Sequence, residues 1–174
     1  MSRQYLISAL MQMTADSNLK GGGAWVYGPQ MEYGTADCNG IIRSTLKSFY
    51  SRTAYLSILG KATTVALVVN ALQTSEPMVI KDKESIPAGC IVISKDFSHM
   101  GITIGPYRHS TNAIIESAIR FNGVVVSQDW SIGEEPDEFY YYCYIDVVDY
   151  DTEIMHTGPV YFTIEDDEGG MVRE

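Results

Sequence analysis

The sequence has few basic residues, few thiols, few imidazoles and no long apolar run. Lys and Arg number 12 against 22 Asp and Glu, for a formal net charge of −10. That deficit argues against a nucleic-acid partner, which needs clustered cations against phosphate, and against docking on anionic lipid. The longest apolar stretch, around TTVALVVNAL, is too short to span a bilayer. The N-terminal MSRQYLISALMQMTADS lacks the basic end, apolar middle and small-residue cleavage site of a signal peptide. The expectation is a chain kept in the cytoplasm as synthesised, with any action elsewhere needing release or export by another factor.

Cysteine is scarce too. Cys38, Cys90 and Cys143 are far apart, form no C-x-x-C and imply no disulfide framework, so reduced thiols are expected. The His and Cys spacings fit no zinc pattern and no H-E-x-x-H is present, so no metal is expected. GGGAWVYG follows a helical segment instead of a strand and lacks G-x-G-x-x-G spacing, while LGKATT has no upstream glycine at phosphate-loop spacing. No cofactor is expected.

What remains is an ordinary globular composition, 45% hydrophobic over 174 residues, read as one domain over 1–174 with a mobile acidic tail from about 165. Residues 3–15 carry helical spacing, with Tyr5, Leu6, Ala9, Leu10 and Met13 on one stripe. A second helix is expected from Cys38 to Tyr50, burying Ile42, Leu46 and Phe49, and a third near 61–73. The period then switches. GCIVIS, HMGITIG, NAIIESA, GVVVSQ and EFYYYCYIDVV are short runs rich in Val, Ile and Tyr between turn residues. Helices first and consecutive strands later predict an α+β fold, with helices packed on an antiparallel sheet of five to six strands.

Chemistry enters at TADCNG. The start of a helix presents unpaired N–H groups and the positive end of a dipole, which favour a thiolate at Cys38 and an oxyanion beside it. A buried spacer is the alternative use of such a cysteine. A nucleophilic thiol needs a base. His109 sits at a predicted hairpin tip and His156 in a polar stretch, whereas His99 opens the strand SHMGITIG. Period two puts Met100, Ile102 and Ile104 on one face, and His99, Gly101, Thr103 and Gly105 on the other, a face of small residues suited to a cleft. If Tyr107-Arg108 is a two-residue hairpin loop, paired positions sum to 215 and His99 lies opposite Glu116. Glu116 and Asn112 are then the two candidates for orienting the imidazole.

Taken in order, the aromatic loop AWVYG, DCNG at a helix start, IPAGCIVIS, HMGITIG and IIESA resemble the NlpC-type bacterial cell-wall cysteine peptidases, a papain-like family. The likeness runs from about residue 24 to 127. It implies a papain-like fold with the catalytic cysteine at a helix N-terminus. It implies Cys38 as nucleophile, His99 as base, Glu116 at the third position, and Trp25, Tyr27 and Asp37 as substrate-binding residues. It also implies hydrolysis of an amide bond in peptidoglycan stem peptides, such as the γ-D-glutamyl–diamino acid bond. Asn39 stands where the family usually has Ser, Trp25 where it has Tyr, Cys90 where Asp is common, and Glu116 where His, Asn or Gln is common. A lone domain of this kind resembles the phage-encoded members. An acyltransferase or amidase on the same fold, or an inactive phage structural protein, are the competing expectations.

Overall fold

A computed structural model of the chain describes residues 1–15, 38, 65–71, 74–107, 111–118, 123–128, 130–132 and 137–154. Among these, helix α1 (Arg3–Ala15) and helix α2 (Val65–Ala71) precede all the strands. The strands are β1 (Met78–Val79), β2 (Ile91–Ser94), β3 (Met100–Tyr107), β4 (Thr111–Ala118), β5 (Gly123–Ser127), β6 (Ser131–Ile132) and β7 (Asp137–Cys143). Their order is β1-β7-β2-β3-β4-β5, with β6 pairing the start of β7 off this path, and every strand pair is antiparallel. Each of the five runs read as strands contains one, but β7 ends at Cys143 and the YIDVV that follows it is not strand; the α+β class holds. The expected helix after Cys38, the loop bearing Trp25, Tyr27 and Asp37, His109, His156 and the acidic tail lie outside the described residues.

Helix α1 covers the residues expected of it, capped where the Ser2 hydroxyl accepts the Tyr5 N–H at 3.2 Å. Its buried stripe differs from the expected one. Leu6, Ile7, Leu10 and Met11 are buried, while Tyr5 is 55% exposed. Aliphatic side chains fill the core, and the tyrosine stays at the surface. That stripe, with Val65 and Val69 of α2, packs on one sheet face through Ile91, Ile93, Met100, Ile102, Ile104, Ala113 and Ile115. The opposite face carries a smaller cluster of Ile86, Cys90, Val92, Ile114, Trp130 and Phe139. Strand β2 is buried along its whole length because both faces of the sheet are covered there.

The chain start is tied to the segment after the sheet. The Met1 ammonium donates to the Val147 carbonyl at 2.8 Å, and the Asp149 N–H donates to the Met1 carbonyl at 2.7 Å. The Arg3 guanidinium donates twice to the Thr152 carbonyl, at 2.6 and 3.1 Å.

Two bulges matter for the site. Between Thr103 and Gly105 the β3–β4 register shifts, so Ile104 is the extra residue, and Gly105 takes φ +86°. Between Ile93 and Ser94 the β2–β7 register shifts, so Tyr140 is the extra residue. Simple alternation would put Phe139 on the face of Tyr141 and Cys143. The bulge turns it over into the cluster with Trp130.

The β3–β4 hairpin corrects one expectation. Strand pairing continues to Tyr107↔Thr111, so Tyr107 is not part of a two-residue loop, and residues 108–110 separate the strands. Paired positions sum to 217 from Ile102↔Ile115 to Thr103↔Ile114 and to 218 beyond the bulge, not to 215. The loop is longer than the tightest hairpin and the bulge adds one residue to β3.

Candidate active site

His99 ends the turn joining β2 to β3. The residues before it, SKDFS, are arranged as a cage of local hydrogen bonds. The Ser94 hydroxyl accepts the N–H groups of Ser98 and His99, both at 3.0 Å, and the His99 carbonyl accepts the Ser94 N–H at 3.0 Å. The Asp96 carboxylate accepts the Ser98 N–H and both serine hydroxyls, which hold its carboxyl below the usual range. Phe97 completes the turn at φ +58°, a left-handed conformation that costs a non-glycine residue about 1 kcal/mol. Its ring repays that by packing on the main core beside Tyr141, 5.7 Å between centroids. The backbone that carries the imidazole is therefore fixed on both sides.

The side chain is fixed as well. The His99 ring stacks on Phe139, with centroids 5.4 Å apart and planes inclined by 27°. Phe139 in turn meets Trp130 edge-on at 6.2 Å, and the Trp130 indole N–H donates to the Asn112 carbonyl at 2.9 Å. His99 Nε2 lies 3.8 Å from Glu116 Oε2, in ion-pair range. His99 is 12% exposed and Glu116 0%. A fully buried carboxylate is costly unless a charge or hydrogen bonds compensate it, and the imidazole stands where it can do so. Gly101 makes room for that approach. A Cβ there would come within 2.6 Å of Ile114 Cγ2 and 2.9 Å of the Ile115 carbonyl, with Glu116 Cβ at 3.5 Å.

Cys38 lies in a turn, partly buried, against the main core. Its thiol stands beside the His99 imidazole. Burial lowers the His99 pKa, but the hydrogen bond and charge of Cys38, together with those of Glu116, override it and raise the pKa from 6.5 to about 9. The charged imidazolium form of His99 is thus favoured. The other two thiols are in different surroundings. Burial pushes Cys90 up to about 12 and Cys143 up to about 11.

Cys38, His99 and Glu116 therefore meet, although 61 and then 17 positions separate them in sequence. Asn112, the other candidate for orienting the ring, is committed elsewhere: its amide donates to the carbonyls of Lys83 and Ile86, and its Oδ1 accepts the Gly105 N–H. The small-residue face of β3 is not an open cleft as expected. Ile114 fills the space over Gly101, and the Thr103 hydroxyl donates to the Pro87 carbonyl. Trp25, Tyr27 and Asp37 lie outside the described residues. Sequence reasoning missed Phe139, because it is hidden in a tyrosine run and turned over by a bulge that leaves no periodic mark. It also missed the SKDFS turn, whose alternating small polar residues just before His99 were a usable signal.

Among the described residues no group of three or more His, Cys, Asp or Glu could hold a metal ion, and no helix is long and apolar enough to cross a membrane. The chain matches no protein-family model, no curated protein and no solved structure.

Proposed function

We propose that the chain is a thiol hydrolase of papain-like arrangement that cleaves an amide bond, with Cys38 as nucleophile, His99 as proton carrier and Glu116 as its orienting carboxylate. The observation that carries this reading is the meeting of a partly exposed thiol, a largely buried imidazole and a fully buried carboxylate at one point. With Nε2 turned to Glu116, Nδ1 is the nitrogen left for the thiol.

The thiolate of Cys38 attacks the amide carbon, forming an S–C bond and placing the electron pair on oxygen. His99 gives its proton to the amide nitrogen, the C–N bond breaks and the amine leaves. Water then loses a proton to His99 and attacks the thioester carbon. The S–C bond breaks, releasing a carboxylic acid and restoring the thiolate–imidazolium pair. The substrate class implied by the ordered resemblance is the peptide of bacterial peptidoglycan.

Incubation of purified peptidoglycan with the chain, followed by mass spectrometry of the released fragments, tests both reaction and substrate. New pairs of amine and carboxyl ends, absent with Cys38→Ala, are expected. Fragments identical to the untreated wall, or release undiminished in Cys38→Ala, would remove the reading. Products carrying an added amine in place of a new carboxyl would make the reaction acyl transfer to an acceptor other than water.

A further inference from the structure

Three of the 12 basic residues of a chain with net charge −10, Lys81, Lys83 and Lys95, line one cleft of about 680 Å³. Its apolar wall is made by Trp130, Phe139 and Tyr140. Lys83 Nζ lies 5.9 Å from the Trp130 ring centre and Lys95 Nζ 5.1 Å from that of Tyr140, so two ammonium groups are held over aromatic faces. Among the described residues none of the three lysines forms an ion pair. The overall field of the protein repels anions, so local cations gathered on a concave aromatic surface are a built exception to it.

Two carboxylates, those of Asp82 and Glu138, also line the cleft. The Asp82 side chain is occupied in accepting the Glu84 N–H at 3.1 Å. This interspersed lining disfavours a dense phosphate cluster and suits carboxylates spaced along a chain that also carries N–H groups. The cleft adjoins the candidate active site through two residues. Phe139 is both its wall and the ring on which His99 stacks. Lys95 follows Ser94 at the start of the turn that ends on His99.

We propose that this cleft binds an acidic peptide segment, with its carboxylates on Lys81, Lys83 and Lys95 and its apolar atoms on the exposed ring of Tyr140. As the subsite that feeds His99 it rests on the hydrolase reading; as a binding cleft it stands apart from it. The test uses the full chain carrying Cys38→Ala, so that nothing is turned over, and a short fluorescent glutamate-rich peptide with its glutamine counterpart as control. Fluorescence anisotropy should saturate with the acidic peptide and not with the control, and binding should weaken with added salt, since exposed charges are screened within about 10 Å at 0.1 M. Lys81→Gln, Lys83→Gln and Lys95→Gln combined should weaken binding by about tenfold or more. Replacing the same three by Arg should retain it, with circular dichroism checking that both variants fold. Equal binding of the two peptides, or an unchanged affinity in the triple Gln variant, would overturn the proposal. Peptide binding without peptidoglycan cleavage by the unmodified chain would leave the cleft and remove the reaction. Cleavage without peptide binding would remove the cleft and leave the reaction.

Discussion

Cys38 differs from Cys90 and Cys143 in its neighbours more than in its chemistry. Cys38 is partly exposed beside the His99 ring, whereas burial holds the other two thiols protonated, at about 12 and 11. Iodoacetamide at pH 7 should therefore modify Cys38 and spare the other two, as read by peptide mass mapping. His99→Ala should slow that alkylation and cut turnover by about 10²–10⁴-fold. Cys38→Ala should abolish turnover while melting within a few degrees of the parent, because the thiol is only partly buried. Glu116→Gln should cost less rate than His99→Ala. Removing a carboxylate from beside the ring disfavours the imidazolium, so the alkaline limb of the pH–rate profile, set by a His99 pKa of about 9, should move to lower pH. An unmoved limb would take Glu116 out of the site. The register puts Glu116 opposite Gly101 and not opposite His99 as expected, yet their nearness was legible for a simple reason. The assumed register sum of 215 and the observed 217 differ by two, and a slip of two residues keeps every side chain on its face.

At the scale of elements, the strands were legible because runs such as IVIS and GVVVS are β-branched and bounded by turn residues. The bulges at Ile104 and Tyr140 were not. A bulge is a backbone event, and its effect on Phe139 contradicts the alternation from which a face is read. The stripe of α1 was half legible, since Leu6 and Leu10 belong to either choice of face and only packing selects Ile7 and Met11 over Tyr5. Gly101 is where element and site meet. Gly101→Ala places a methyl against Ile114 and the Ile115 carbonyl, which is backbone and cannot rotate away. Overpacking of this kind costs about 1–3 kcal/mol. A lower denaturant midpoint is expected, and with it a loss of activity larger than the loss of folded protein, because β3 is pushed off β4 next to Glu116.

For the molecule as a whole, the raised pKa of His99 is a statement about stability. Its folded value of about 9 exceeds the ordinary 6.5, so protonated His99 favours the folded state fully below pH 6.5, and this contribution is lost as pH rises through about 9. Urea midpoints should fall between pH 6 and pH 8.5 in the parent and change less in His99→Ala. Above pH 9, ionisation of the Cys90 and Cys143 thiols in the unfolded chain adds a further loss, since their folded values lie higher than the ordinary 9.0.

The ties that bind Met1 and Arg3 to Val147, Asp149 and Thr152 also set an order in time. Synthesis proceeds from the N-terminus, so α1 leaves the ribosome before its partners across 146 and 149 positions, which are made almost 150 residues later. Until then Leu6, Ile7, Leu10 and Met11 have no completed sheet to cover them. Closing a span of that length costs on the order of 4 kcal/mol of chain entropy before any contact offsets it. An element made before its cover thus leaves an apolar stripe exposed on the nascent chain until the strands that bury it are made.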